Sequence, residues 1–465
     1  MCNEFAKAIV ATHNEGDMVW IQSFHLLILP SILARKIPTA TTGIYFDSPF
    51  PSSEIFRTLS MREDLMRGML NADQICFAQY ASARHFQACC RRIMGLSHEI
   101  DKRTGTVQVT LQGRKVRITV SHPGIELERL NKYIMNTKAS TRTLPRDVQE
   151  NDRIRPLATR IYNWISSVKQ QKTDGQQEPM LILSLGPLGD ALMGHELRMV
   201  AARRLLETMP QYRGQIYFLD IAIQEDVSFQ KNSASFDNDE SARLKRLVEL
   251  TKSVNEIHSG TYEFIKMPPL PTSFRVLLYD IADVFLCTPV RQGVNLYPLE
   301  YSYCRKDSRG TVIASEFSTF SHVLHGSMFV NPWKMEDLIR SFTFCFSMSD
   351  SEKQRRSSHS ARFITHTSMS RWVYRMLIDL KRCRKRADKY KFKGYGLGLG
   401  FRLVAEAEGF SNLDTKSVCR SWTHTKQRVL FLDFRGTIAP YSLEGRREDA
   451  FKSRVIREKR LVRYS

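Results

Sequence analysis

Glycine and histidine residues mark two places where this chain could bind an anion or contact a ligand. Gly194 and His195 stand where an apolar run gives way to a helical pattern. Because the first turn of a helix has free backbone N–H groups and a partial positive charge, this spot could bind a phosphate. The alternative is a helix start packed as ordinary core around Leu188 and Met193. His25, alone in the apolar segment VWIQSFHLLILP, is likewise either a ligand contact or, more often for such a residue, a core histidine.

Two other patterns argue against common kinds of site. The nine cysteines show no C-x-x-C spacing, so neither a zinc site nor a disulfide framework is predicted. Glycines alternate with apolar residues over 394–401, but a phosphate loop would end in Lys followed by Ser or Thr, and Phe401-Arg402 does not. We predict an extended segment between domains there, and we predict no metal and no cofactor.

The elements that must position these residues are short strands alternating with helices. Apolar runs such as MVWI, TGIYF, PMLILSL, GQIYFLDIAI, DVFLC and GTVIAS are each followed by helical spacing. After PMLILSL, the positions in helical register are Leu197, Val200, Ala201, Arg204 and Leu205. This pattern predicts parallel sheets covered on both faces, with ligands at the carboxyl ends of the strands. Two polar stretches, 137–152 and 348–362, are predicted to be loops or linkers.

The net charge of +21 is concentrated after residue 350. The basic runs are KQRR (353–356), KRCRKR (381–386) and the tail from Arg446 to Arg463. Because no recognisable nucleic-acid-binding module accompanies these basic runs, we interpret them as a solvent-exposed surface rather than a nucleic-acid-binding site. Binding of other polyanions stays as an alternative. No stretch approaches the ~18 apolar residues of a membrane span, and the N-terminus does not read as a signal peptide, so a cytoplasmic protein is expected.

Long segments, in order along the chain, resemble trehalose-6-phosphate synthases, which are glycosyltransferase family 20. The resemblance is to the plant-type proteins with a fused phosphatase domain. Coverage extends from about residue 17 to about 442. The matching segments are Val19 to Pro30, Gly43 to Leu96 with the distinctive PFPSSEIFR, Asp283 to Tyr301, Gly310 to Trp333, Lys393 to Ala405 and Val429 to Pro440.

The resemblance implies an α/β fold of two Rossmann-like domains, the GT-B glycosyltransferase fold. We expect a partial N-terminal domain over 1–135, because the first matching segment begins at Val19 whereas the family places further strands before it. A nucleotide-sugar domain with a return helix is expected over 136–405, and a fragment of a haloacid-dehalogenase-like phosphatase domain over 428–465. The implied ligands are UDP-glucose and glucose 6-phosphate, bound between the domains, and the implied partners are catalytic synthase subunits.

The resemblance also implies that cations are missing from the active site. In the family, an arginine and a lysine bind the departing diphosphate. The corresponding residues of this chain are Leu188 and Met193, whereas the aspartate between them is retained as Asp190. Losing one such preorganised group typically lowers the rate by about 100- to 1,000-fold.

Three further family positions are substituted. Ser23 replaces an aspartate that is expected to contact the acceptor. Asp47 replaces a histidine that faces the donor sugar, and Gln292 replaces an aspartate that contacts the hydroxyl groups of that sugar. His25 belongs to the same acceptor-side motif. The retained donor-binding positions are Gly293, Asn295, Leu296 and Glu300, the last expected at the ribose.

VLFLD followed by FRGT is similar to the first motif of haloacid-dehalogenase phosphatases. Asp433 occupies the nucleophile position, but Arg435 stands where the family has its general acid, and a guanidinium cannot donate a proton near neutral pH. The residues after Thr437 are too few for the remaining catalytic groups, so phosphatase activity is predicted to be absent.

Together these residues predict a trehalose-6-phosphate synthase-like protein that is catalytically impaired and regulatory. One alternative is a residual or altered-specificity retaining glycosyltransferase that uses His195 or a basic residue near the lost cations. The other is a protein that binds polyanions through its basic C-terminal third.

Overall fold

The computed structural model describes residues 1–14, 16–101, 105–111, 114–139, 143–170, 178–224, 234–308, 310–383, 391–395, 402–406 and 415–425. These residues fall into two units, 1–389 and 390–465. The larger unit contains two sheets, each wrapped by helices.

The first sheet has six strands in the order β1-β2-β3-β6-β5-β4. Parallel pairing joins β1, β2, β3 and β6, while β4 and β5 form an antiparallel extension. All six residues of β2 are buried, as expected for a strand covered on both faces. The strands are β1 (Met18–Gln22), β2 (Thr41–Phe46), β3 (Gln74–Phe77), β4 (His98–Ile100), β5 (Val107–Leu111) and β6 (Arg114–Val120).

Helices before and between these strands bury a core rich in phenylalanine. The ring of Phe50 lies 5.5 Å from Phe46 and 5.5 Å from Phe86, measured between ring centroids. Gly95 ends the long helix α5 in the left-handed conformation that favours glycine. The helices up to the second sheet are α1 (Cys2–Thr12), α2 (Leu29–Lys36), α3 (Ser53–Phe56), α4 (Arg62–Leu70), α5 (Tyr80–Met94), α6 (Leu127–Ala139), α7 (Arg146–Gln149) and α8 (Arg155–Gln170).

The second sheet also has six strands, in the order β12-β11-β10-β7-β8-β9, and every pair is parallel. Alternate residues of β7 feed separate cores on the two faces: Leu183 packs on one face and Ile182 on the other. This is the doubly covered parallel sheet that the apolar runs predict. The strands are β7 (Met180–Pro187), β8 (Ile216–Ile223), β9 (Tyr262–Met267), β10 (Val284–Cys287), β11 (Thr311–Ser315) and β12 (Met328–Val330).

One polar stretch predicted to be a loop is a helix. Residues 348–362 fall largely within α14, whose face toward the protein is filled by small side chains, Ser357, Ser360 and Ala361. The predicted loop at 137–152 contains the end of α6 and the short α7. The helices of the second half are α9 (His195–Thr208), α10 (Ala234–Asn255), α11 (Thr272–Ile281), α12 (Tyr297–Cys304), α13 (Met335–Ser347), α14 (Asp350–His366) and α15 (Met369–Cys383).

Helix α15 follows the second half in the chain but packs on the first sheet. The Trp372 ring lies 5.2 Å from Trp20 and 5.0 Å from Tyr45 between centroids. Leu380 packs closely on Gly43, and a Cβ atom added to Gly43 would lie 3.0 Å from Cδ1 of Leu380. The return helix therefore ties the two halves together.

In the smaller unit, β13 (Lys391–Tyr395) and β14 (Arg402–Glu406) pair antiparallel, and α16 (Thr415–His424) follows. Of the glycine-rich segment 394–401, which is predicted to be extended, only residues 394 and 395 are described, and both lie in β13. Asp433, Arg435, the predicted phosphatase fragment over 428–465 and the basic tail lie outside the described residues. Among the helices that are described, none is long and apolar enough to cross a membrane.

Candidate functional site

Loops at the carboxyl ends of β2 and β10 touch each other across the two halves. The backbone N–H of Val294 donates to the carbonyl oxygen of Asp47 at 2.9 Å. A Cβ at Gly293 would overlap that same carbonyl, so the turn after β10 requires glycine. The predicted donor turn thus lies directly against the predicted sugar-facing loop.

The loop between β7 and α9 carries the two positions predicted to have lost their cations. Leu188 is 0% and Met193 1% exposed. Asp190 caps a 3-10 turn by accepting from the Leu192 N–H at 2.9 Å. Gly194 has φ 74°, and a Cβ there would overlap the carbonyl of Thr288. The loop is therefore folded tightly, with both hydrophobic side chains directed into the protein.

Two substituted positions contact each other. The Nε2 of Gln292 lies 3.3 Å from the sulfur of Met193. The Gln292 amide oxygen accepts from Nδ2 of Asn295 at 3.1 Å, and Asn295 in turn accepts from the Tyr297 N–H at the start of α12. Gln292 and Met193 thus form one packed unit on the C-terminal side of the cleft.

Helix α9 begins at His195, as predicted, but the side chain does not face an open phosphate site. His195 is 5% exposed, and its Nδ1 lies 3.0 Å from Oδ2 of Asp220 and 2.7 Å from Nη2 of Arg198. Nδ1 can donate to the carboxylate or accept from the guanidinium, depending on the tautomer. Its Nε2 has no hydrogen-bond partner among the described residues.

Asp220 is the centre of a buried polar network. Its carboxylate accepts from Arg198 at 3.2 Å and from the hydroxyl of Tyr262 at 3.1 Å. Burial alone would raise the pKa of Asp220, but Arg198 and His195 outweigh burial and hold that pKa below its usual range. Burial and the negative charge of Asp220 raise the pKa of Tyr262 well above its ordinary value. The network therefore holds an ionised aspartate and a neutral tyrosine inside the protein.

Sequence reasoning missed two arginines beside the β7–α9 loop. Arg198 donates from Nη1 to the carbonyl of Met193 at 2.9 Å. Arg243, on α10, donates from Nη1 to the carbonyls of Leu188 at 3.2 Å and Gly189 at 2.7 Å. Arg243 lies far from the loop in the chain, so no local spacing could have indicated it.

On the N-terminal side, Ser23 follows β1 with φ 86°, which is rare for a residue other than glycine. Its hydroxyl lies 2.8 Å from Nδ1 of His25, and His25 is exposed. The interpretation of His25 as a core histidine is therefore wrong for this protein. The side chain of Asp47 is half-buried and accepts from the Ser48 hydroxyl at 3.1 Å.

Glu300 has several partners within its own half. Arg275 donates to both carboxylate oxygens at 3.0 Å, and the Tyr279 hydroxyl donates at 3.1 Å. The Arg275 guanidinium also lies over the Tyr297 ring, 5.3 Å from its centroid. Leu296 precedes α12 and packs against the core.

A cavity of about 520 Å³ opens at the carboxyl ends of β2 and β3 on one side and of β7, β10 and β11 on the other. None of the predicted site residues within the described ranges lines it. No group of His, Cys, Asp and Glu among the described residues could hold a metal ion. The lining residues are Pro49, Gln79, Ala81, Ser82, His85, Leu192, Val290, Arg291, Glu316, Phe317 and Trp333.

The paired sheets, with a cleft at their carboxyl ends and a return helix, have the GT-B fold. Solved structures agree. An E. coli trehalose-6-phosphate structure bound with UDP-2-fluoro glucose has a TM-score of 0.69 and 20% identity, covering 82% of this chain and 76% of that one. A Burkholderia xenovorans alpha,alpha-trehalose-phosphate synthase in complex with glucose-6-phosphate has a TM-score of 0.68 and 19% identity, covering 82% and 76%.

The model of glycosyltransferase family 20 matches residues 1–154 and 147–382, and the chain belongs to that family. A probable Arabidopsis thaliana alpha,alpha-trehalose-phosphate synthase [UDP-forming] 8 is 30% identical over 92% of this chain and 47% of its own length. A Dictyostelium discoideum alpha,alpha-trehalose-phosphate synthase [UDP-forming] A is 27% identical over 94% of this chain and 52% of its own. The chain thus spans about half the length of the curated relatives it matches.

Proposed function

We propose that this protein is a trehalose-6-phosphate synthase-like protein that binds sugar nucleotides or sugar phosphates but transfers glucose poorly, and that it is regulatory. The observation that carries the proposal is the β7–α9 loop, where Leu188 and Met193 are both buried. Negative charge builds on the departing diphosphate during transfer, and hydrophobic side chains cannot stabilise it.

The nearest buried guanidinium does not compensate. Arg198 is 1% exposed and already donates to Asp220 and to the Met193 carbonyl. Recruiting it to a ligand would leave Asp220 a buried, poorly paired charge, which is unfavourable by several kcal/mol. We therefore expect turnover at least about 100-fold below that of a relative with both cations.

The retained donor turn supports binding better than catalysis. Gly293 permits the close approach to the Asp47 loop, and Glu300 is held in one orientation by Arg275 and Tyr279. A carboxylate offers about four acceptor positions, so one remains for a ribose hydroxyl. UDP-glucose and glucose 6-phosphate are the ligands of this proposal, and catalytic synthase subunits are the proposed partners.

Release of UDP tests the proposal. The purified full chain is incubated with UDP-glucose and glucose 6-phosphate, beside heat-inactivated protein and a catalytically active relative. We expect UDP release that is at least about 100-fold slower than that of the active relative, together with measurable UDP-glucose binding by calorimetry. UDP release that depends on glucose 6-phosphate and proceeds within about tenfold of the rate of the active relative would refute impairment. A lack of binding to either ligand would refute the ligand assignment.

The second candidate, a residual transferase, is favoured by one observation. Arg243 places a guanidinium on the backbone of the β7–α9 loop, where it could supply part of the lost positive charge. On this hypothesis, Arg243→Gln lowers the rate of any glucose transfer, whereas Arg246→Gln leaves that rate unchanged. Arg246 is the matched control because it lies on the same helix and pairs with Glu196. Equal rates in both variants would exclude this role for Arg243.

A further inference from the structure

Three exposed apolar side chains converge on the cavity described above. Trp333 is 63% exposed, Leu192 46% and Phe317 40%, and all three line the cavity. Exposing large apolar side chains together is unfavourable unless the surface binds something. The faces of aromatic rings carry partial negative charge and attract C–H groups of partial positive charge, such as those on one face of a sugar ring.

Four polar side chains of the cavity are available for a ligand, whereas the Ser82 hydroxyl already accepts from the Phe50 N–H. Gln79, His85 and Glu316 form no side-chain hydrogen bond or ion pair with the rest of the described chain. Within the part of the chain that the structure describes, the Arg291 side chain makes one hydrogen bond, a long one of 3.5 Å to the Phe50 carbonyl. All four groups are planar, and together they offer donors and acceptors, which suits the paired donor and acceptor character of neighbouring hydroxyls.

The charge of the lining distinguishes between classes of ligand. Arg291 and Glu316 are opposite in sign, so the charges of these two lining residues cancel. A phosphate attracted by Arg291 would also be repelled by the Glu316 carboxylate, whereas a neutral polyhydroxyl compound can bond to both. The volume of about 520 Å³ lies within the ~300–1,000 Å³ of small-molecule sites and exceeds what a single sugar ring fills.

We propose that this cavity is a binding site for a neutral saccharide of two or more rings, with Trp333 as the main stacking surface. This site goes beyond the proposed function, because UDP-glucose and glucose 6-phosphate are anionic. In addition, none of the described residues predicted to bind those two ligands lines the cavity. Arg291 and Glu316 bind hydroxyl groups on the ring edges, and Phe317 extends the apolar surface.

Saturation-transfer NMR on the full chain, with maltose, cellobiose and trehalose as probes, tests the proposal. We expect saturation of the ring C–H protons for at least one disaccharide. Trp333→Ala should weaken binding about tenfold or more, which corresponds to about 1.4 kcal/mol, because the variant loses the main stacking surface for the sugar rings. Trp422→Ala is the matched control, because Trp422 is 48% exposed and is not one of the residues that line the cavity.

Every outcome decides the question. Loss of binding in Trp333→Ala and in Glu316→Gln, with Trp422→Ala unchanged, supports the site. No disaccharide signal, or equal loss in the two tryptophan variants, overturns it. Preferential, Trp333-dependent binding of glucose 6-phosphate or UDP over the disaccharides would also overturn it, because the ligand would then be an anion. None of these results depends on whether the protein transfers glucose.

Discussion

Asp220 brings a negative charge into the core of the second half, and its neighbours explain why it is tolerated. Arg198 supplies the opposite charge, while His195 and Tyr262 complete the contacts. Sequence patterns could not reveal this network, because Asp220 and Tyr262 lie far from α9 along the chain, and because the buried polar residues His195 and Arg198 interrupt the hydrophobic period of α9. On α9, for example, the predicted positions Val200 and Arg204 are exposed.

Replacing the central carboxylate should destabilise the protein strongly. Asp220→Asn leaves Arg198 buried without its counter-charge, and we expect the free energy of unfolding to fall by about 3–5 kcal/mol in urea denaturation. The control is Glu207→Gln, which removes an exposed ion pair with Arg203 and should change stability by less than about 1 kcal/mol. Similar effects for the two variants would show that the network contributes little.

The same carboxylate predicts a pH dependence. Since the pKa of Asp220 is lowered in the folded protein, its contribution to stability is fully present above the ordinary aspartate value near ~4. That contribution is lost as the pH falls from there toward the lowered folded pKa. The stability difference between the wild type and Asp220→Asn should therefore be larger at pH 7 than at pH 3. A difference that grows on acidification would contradict the assignment.

Substituting two glycines by alanine can distinguish the cost of backbone strain from the cost of steric overlap. Gly194 and Gly95 have nearly the same φ, 74° and 68°, but a Cβ would overlap Thr288 only at Gly194, whereas nothing lies within 4 Å at Gly95. We expect Gly95→Ala to lower the free energy of unfolding by about 1 kcal/mol from strain alone, and Gly194→Ala to lower it by clearly more. Equal losses would mean that the β7–α9 loop can move aside.

At the scale of elements, the sequence predicts strands better than helices of polar composition. The apolar runs that predict strands at β1, β2, β7, β8, β10 and β11 are all observed. Helix α14 was not predicted because small residues occupy most of its buried face and Ile364 is its only large apolar side chain that is buried, so the apolar period is weak. The Ser349 hydroxyl caps this helix by accepting from the Glu352 N–H, a local signal that hydrophobicity alone does not register.

The return helix α15 provides the element-scale prediction. Trp372 packs between Trp20 and Tyr45 of the first sheet, and Trp372→Ala should lower the free energy of unfolding by about 3–5 kcal/mol. Tyr374→Ala is matched to it, because Tyr374 lies two residues away on the same helix and is 66% exposed. The free energy of unfolding of Tyr374→Ala should fall by less than about 0.5 kcal/mol. Comparable losses in thermal or urea unfolding would mean that α15 is not anchored through Trp372.

At the scale of the whole molecule, family resemblance in the sequence predicts the fold, and the structure adds what surrounds the substituted positions. Leu188 and Met193 are identifiable from motif spacing, but their burial, the contact of Met193 with Gln292 and the approach of Arg243 depend on tertiary packing. The domain boundaries near 136 and 405 and the assignment of Asp433 stay predictions.

Transfer of radiolabelled glucose from UDP-glucose to glucose 6-phosphate tests the central claim most directly. At saturating substrates, we predict a rate at least about 100-fold below that of a family member retaining both cations, because the β7–α9 loop cannot stabilise the leaving diphosphate. A rate within tenfold of that relative, from the unaltered chain, would contradict the account.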